Sequence, residues 1–283
     1  MTALYGHSAV TVTDMRTSLR YYREGLGLEV VAETSGDGHL RVELELPGTD
    51  CVWALEEYRT SDRYLASSRP CDPGFAHLCL YVGDADGVFD RLQSLGFTSR
   101  APVATVPSGA HKGARNVYTL DPDGFVVELY ERPGAAGPSV VTGFFHHGLT
   151  VAEIEPTLAF WQQSLGAPVL RRSAAPGSMA GIITGLDYER METAFVGLDD
   201  GVSIEIFEYQ GIERHPALAR AVDPGSSRLA LRVPDPEELR ATGWRPRREG
   251  DRPRVRPDRL PDPAASRVAV HRCRSAILSA HRG

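Results

Sequence analysis

Three histidines stand at the same place in a recurring six-residue frame. His7 opens His-Ser-Ala-Val-Thr-Val12, His77 opens His-Leu-Cys-Leu-Tyr-Val82, and His146 opens His-His-Gly-Leu-Thr-Val151. A fourth copy, Arg228-Leu-Ala-Leu-Arg-Val233, carries arginine where the others carry histidine. Imidazole titrates near neutrality and can bind a divalent metal through its neutral nitrogen. Guanidinium does neither, being a permanent cation without an acceptor. One histidine on a strand is ordinarily a half-buried polar residue; three at matched repeat positions call for a shared explanation. Glu128 adds a carboxylate in mid-strand, flanked by Val126, Val127 and Leu129. A carboxylate so placed either faces water on an edge strand or points into a functional cavity.

The elements that must position these groups repeat as well. After the His7 strand, Thr13-Asp14 supplies a helix N-cap, Leu19, Tyr22 and Leu26 recur at helical spacing, and Gly25 and Gly27 mark the end. Three strands follow, residues 28–32, 39–46 and 51–57, the middle one alternating Leu40, Val42, Leu44 and Leu46 with polar residues. The second unit repeats the order: a His77 strand, a helix from Asp84 to Leu95, then a hairpin around Asp121-Pro-Asp-Gly124, where proline presets one dihedral and glycine accepts a positive one. Arg132 to Pro138 reads as a linker. The third unit has the His146 strand, a helix from Pro156 to Leu165 and strands ending at Val202 to Tyr209; the fourth has its Arg228 strand and a short helix, Pro236 to Ala241. Beyond Gly243 no alternating strand is evident, and an Arg/Pro-rich tail is expected to be disordered.

The composition, 42% hydrophobic and 24% charged over 283 residues, is that of a globular chain of about two domains. No apolar run approaches the ~20 residues needed to span a bilayer, and no leader segment is visible, so a cytoplasmic protein is expected. Its four cysteines lack metal or disulfide spacing. From Trp244 onward 11 arginines face four acids, which leaves the remaining chain at −13, a balance that gives no reason to expect nucleic-acid binding.

Units of one strand, one helix and three strands, with histidine early in the first strand and glutamate in the last, resemble the vicinal oxygen chelate superfamily of glyoxalases, bleomycin-resistance proteins and extradiol dioxygenases. The most specific pieces are Asp14-Met-Arg-Thr-Ser-Leu-Arg-Tyr-Tyr22 with Leu26-Gly-Leu28, and Asp121-Pro-Asp-Gly-Phe-Val-Val-Glu-Leu129. The resemblance implies an α+β fold of tandem βαβββ modules in paired, curved mixed sheets, here with a degenerate fourth module. The expected organisation is a first domain at 1–133, a linker at 134–140, a second and degenerate domain at 141–243, and the tail at 244–283.

With neighbouring units paired, the family's metal positions fall on His7, Ala54, His77 and Glu128 in the first pair, and on His146, Glu205 and Arg228 in the second. The expected metal set is therefore His7, His77 and Glu128, one ligand short, holding a divalent ion, Fe(II) in first place and Mn, Ni, Co or Zn as alternatives. Two imidazoles and one carboxylate match an extradiol-type dioxygenase acting on a small substrate that chelates through vicinal oxygens. A glyoxalase- or epimerase-type lyase or isomerase is the alternative, with Glu43 as base; a drug-sequestering binding protein is the third reading. His111, in the Gly109-to-Gly113 loop, is the candidate acid/base, and Tyr118 is a candidate contact to the reacting oxygens. A homodimer is compatible with the family.

Overall fold

A computed structural model describes residues 3–36, 38–60, 65, 68–109, 111–198, 200–217, 219–234 and 268–270. The first unit comprises β1 (Leu4–Val12), α1 (Met15–Leu19), which continues as a wider π-helical turn at Arg20–Gly25, and β2 (Val30–Gly36), β3 (His39–Glu45) and β4 (Val52–Tyr58). The second comprises β5 (Ala76–Val82), α2 (Ala85–Ser94), the short β6 (Thr98–Ser99) and β7 (Ala104–Thr105), then β8 (Arg115–Leu120) and β9 (Val126–Glu131). The third comprises β10 (Val141–Thr150), α3 (Ile154–Leu165), β11 (Val169–Pro176), α4 (Gly177–Thr184), β12 (Arg190–Gly197) and β13 (Ser203–Gln210). Of the fourth, β14 (Ser227–Arg232) and β15 (Val268–Val270) are described. The helix expected at 236–241 lies outside the described residues, as does the tail except for β15. That three-residue strand pairs in parallel with β14, inside the segment expected to be unstructured.

The caps behave as their residue types dictate. The Asp14 carboxylate accepts from Thr17 N at 2.7 Å and the Asp84 carboxylate from Gly87 N at 3.1 Å, satisfying amides that α1 and α2 cannot satisfy internally. Helix α3 starts two residues earlier than its proline suggests, because Glu208 accepts from Ile154 N at 2.7 Å and caps it from another strand. No described helix is long and apolar enough to cross a membrane.

The strands form two sheets, ordered β15-β14-β1-β4-β3-β2 and β11-β12-β13-β10-β5-β9-β8-β6, with β7 attached to β8. Units therefore do not combine in the order in which the chain makes them. The first joins the fourth through antiparallel β1 and β14, and the second joins the third through antiparallel β5 and β10. The linker explains the second joint. It packs against Gly83 so closely that a Cβ there would lie 2.6 Å from Pro138 O, which places β10 beside the edge of β5.

The period-2 alternation of the strands divides the faces. Leu78, Leu80, Val127 and Leu129 join helical residues such as Val88, Leu158 and Trp161 in one apolar core, which also takes Tyr5, Val10, Trp53 and Leu55 from the other sheet. His77, Cys79, Glu128 and Tyr130 occupy the intervening positions and so face away from that core. The Asp121-Pro-Asp-Gly124 turn ties the first unit to the second. Asp123 accepts from Thr13 N at 2.9 Å, and Asp121 accepts from Tyr22 Oη at 3.0 Å and from the amides of Asp123 and Phe125.

Candidate metal centre

Four side chains converge where β5 and β10 meet: His77 from β5, Glu128 from β9, His146 from β10 and Glu205 from β13. One donor atom of each lies within 4.8 Å of all the others. His77 Nε2 is 3.1 Å from His146 Nε2, 3.1 Å from Glu128 Oε2 and 3.7 Å from Glu205 Oε2. His146 Nε2 is 2.8 Å from Glu205 Oε2 and 3.4 Å from Glu128 Oε2. Ligands about 2.1 Å from one ion stand roughly 3.0–3.4 Å apart at right or tetrahedral angles, so these separations suit a single shared cation.

Register explains the convergence. His77 pairs with Gly148, Cys79 with His146, Cys79 with Glu128, and Gly148 with Glu205, which puts each unit's histidine and glutamate on adjacent strands about the joint. Gly148 is required for it. A Cβ at that position would lie 1.8 Å from His77 Cε1 and 2.2 Å from its Nδ1. Phe75, Tyr118 and Phe207 surround the same ring at centroid distances of 6.2, 5.4 and 5.7 Å, so it is walled in on its other sides.

The two carboxylates make the cluster favourable to positive charge. Burial pulls the His146 imidazole down, yet Glu205 and Glu128 outweigh it and push its pKa up to about 9. Burial likewise pushes Glu128 up, and the two imidazoles overcome this and hold it well below the usual carboxylate range. Two buried carboxylates that stabilise positive charge on an imidazole are placed to compensate a divalent ion as well, because buried charge must be balanced. Two anionic and two neutral donors match the charge of a 2+ ion, whereas the three-donor set expected from sequence would leave the site cationic. The donor set fits a divalent metal.

Beyond the four, Asn116 Nδ2 donates a short hydrogen bond to Glu128 Oε1 and fixes that carboxylate. Glu205 receives no such bond among the described residues. His111 lies in the loop before β8, where its Nδ1 meets Tyr130 Oη at 2.6 Å. Its Nε2 meets Arg171 Nη1 at 2.9 Å. Since arginine can only donate, Nε2 accepts and Nδ1 carries the proton. Burial, and then Arg171, lower its pKa. One ring, Phe145, separates His111 from His146, at centroid distances of 6.5 and 4.6 Å. Tyr118 is buried beside His77, opposite Glu128 in the β8–β9 register.

Two of the sequence candidates lie in the other sheet. His7 sits on β1 opposite Ala230, and Glu43 sits on β3 with its carboxylate 2.8 Å from Arg41. The structure thus brings His77 and Glu128 together with His146 and Glu205, and groups neither His7 nor Glu43 with them. His146 and Glu205 were recognisable at family positions but assigned to a separate pair. The signal in the sequence is completeness: the second and third units carry both a histidine and a glutamate at the family positions, while the first has Ala54 and the fourth Arg228.

Comparison with known proteins agrees with this architecture. Residues 4–129 match the model of the Glyoxalase/Bleomycin resistance protein/Dioxygenase superfamily. The lactoylglutathione lyase-like protein terB of Aspergillus terreus is 28% identical over 146 residues, 45% of this chain and 74% of that protein. The lactoylglutathione lyase of Schizosaccharomyces pombe is 22% identical over 191 residues, 60% of this chain and 61% of the enzyme's own length. Glyoxalase I from Zea mays superposes with a TM-score of 0.63 at 17% identity, covering 85% of this chain and 78% of the maize chain. Residues 4–129 therefore resemble the Glyoxalase/Bleomycin resistance protein/Dioxygenase superfamily, and the chain has the α+β fold seen in glyoxalase I from Zea mays.

Proposed function

We propose that this chain is a metal-dependent lyase of the glyoxalase I type, converting the adduct of a 2-oxoaldehyde and a thiol into a 2-hydroxy thioester. The observation that carries the reading is the second carboxylate. An extradiol dioxygenase needs two imidazoles and one carboxylate, and Glu205 beside Glu128 exceeds that set. A reaction that moves a proton between adjacent carbons uses a carboxylate that can leave its ligand position, take the proton and return it. The similarity to a lactoylglutathione lyase and to a lactoylglutathione lyase-like protein points the same way.

A divalent ion held by His77, Glu128, His146 and Glu205 would supply positive charge to the vicinal oxygens of the substrate. Glu128, tied by Asn116 through its other oxygen, stays in place. Glu205 is the freer carboxylate and is the one we assign to proton transfer. Both imidazoles are buried among aromatic side chains, surroundings of low polarity that strengthen each charge interaction inside.

The test uses purified chain loaded in turn with Zn(II), Ni(II), Co(II), Mn(II) or Fe(II). Each form is assayed with methylglyoxal plus glutathione for thioester formation, and with a catechol panel for oxygen uptake. Thioester formed without oxygen uptake is the expected result. Catechol-dependent oxygen uptake by the Fe(II) form, with no thioester from any form, would replace the lyase by the dioxygenase.

A further inference from the structure

The joint between the first and fourth units repeats the geometry of the metal centre and can be compared with it position by position. In the β5–β10 joint Gly148 faces His77, and in the β1–β14 joint Ala9 faces Arg228. His7 then corresponds to His146. The flanking parallel strands extend the match: Ala54 stands opposite Ala9 as Glu205 stands opposite Gly148, and Ala269 opposite Ala230 as Glu128 opposite Cys79. Of the four donor positions, only the one at His7 keeps a ligand residue. Both carboxylate positions are alanine, and one imidazole position is arginine.

The substitutions are mutually consistent. The missing Cβ of Gly148 is what admits the His77 ring, and Ala9 supplies a Cβ at the matching point, so an imidazole could not adopt the same pose there. Arg228 instead reaches Glu56, two residues beyond Ala54 on the same face of β4, in a close ion pair. Its Nη1 donates to Ala221 O at 2.8 Å. Glu56 is 6% exposed, and it also accepts from Arg41 and, at 2.8 Å, from Tyr58 Oη. A permanent, planar cation has its charge balanced by a buried carboxylate at the place where the other joint gathers four ligands.

We propose that this twin position takes no metal ion and that Arg228 fills it as a built-in cation, closing the β1–β14 joint without a cofactor. The comparison rests on reading the four-donor group as the metal position. The chain then carries one metal equivalent, and the two joints differ in what holds them: a removable ion in one, a covalently attached guanidinium in the other.

Two measurements on the full chain test this. After zinc loading and desalting, elemental analysis is expected to find one equivalent in the wild type and none in His77→Ala/His146→Ala. An equivalent that persists in that double variant and disappears on adding His7→Ala would overturn the proposal. Amide exchange supplies the second arm. Arg228→Met is expected to speed exchange in β1 and β14 at least tenfold while leaving β5 and β10 unchanged, with Arg228→Lys in between as a folded, charge-retaining comparison. A chelator is expected to do the reverse. If the wild type binds no zinc at all, the four-donor reading fails, yet unchanged β1 and β14 exchange in both Arg228 variants would still independently defeat the built-in cation.

Discussion

Adding one methyl group at Gly148 is the most economical perturbation of the centre. In Gly148→Ala the new Cβ would fall 1.8 Å from His77 Cε1, far inside contact distance. The backbone of β10 cannot retreat easily, since it is hydrogen-bonded to β5 on one side and β13 on the other. The ring cannot swing freely either, because Phe75, Tyr118 and Phe207 enclose it. Overpacking of this kind costs roughly 1–3 kcal/mol of stability. The larger effect falls on the ion. Disturbing only the partners that orient a ligand typically costs about 10–100-fold in affinity, and displacing the ligand itself should exceed that. Gly148→Ala is therefore expected to weaken zinc binding by more than about 100-fold while leaving a folded protein with modestly lowered thermal stability. Competition titration against a chromophoric chelator reads the affinity and calorimetry the stability. Wild-type zinc affinity in a folded Gly148→Ala protein would refute the placement of His77 against β10.

Further outcomes separate the roles of individual residues. Glu205→Gln is expected to lower kcat by about 100-fold or more with a smaller loss of metal, a range typical of removing a proton-transfer group, whereas Glu128→Gln should mainly weaken the metal, as read by turnover and elemental analysis together. Asp121 is pushed up to about 7 by burial and by Asp123, so the folded protein binds more protons there than the unfolded chain, and stability should fall as pH rises from about 4 toward 7. Asp121→Asn removes that group, and denaturant unfolding across this range should become flatter with pH, by at most about 4 kcal/mol in total. Trp53 is fully buried and packs its ring 5.2 Å from Phe125 across the interface of the two units, so Trp53→Ala should cost roughly 3–5 kcal/mol.

Much of this architecture was legible in the residues. Alternation marked the strands, Asp14 and Asp84 marked helix starts, and the Asp121-to-Gly124 turn sat where its types require. Histidines in a fixed frame and glutamates in closing strands marked the positions from which ligands could come. The pairing of units was not legible, because a strand's pattern states which face is apolar and not which neighbour its edge will meet. That choice depends on Gly83 admitting the linker and Gly148 admitting an imidazole, and a glycine does not show in sequence what it must accommodate. Pairing neighbours in chain order put His7 in the expected metal set and left His146 and Glu205 outside it. The capping of α3 by Glu208 escaped for the same reason, since its carboxylate arrives from a distant strand. Val268–Val270 is too short to show a period at all.

The most direct measurement is an anomalous difference map from crystals of the zinc-loaded chain, collected on either side of the metal edge. The expected result is one strong peak within bonding distance of His77 Nε2, His146 Nε2 and the facing oxygens of Glu128 and Glu205, between β5 and β10. A peak on His7, or a peak on His77 and Glu128 that excludes the third unit, would contradict a metal centre shared by the second and third units.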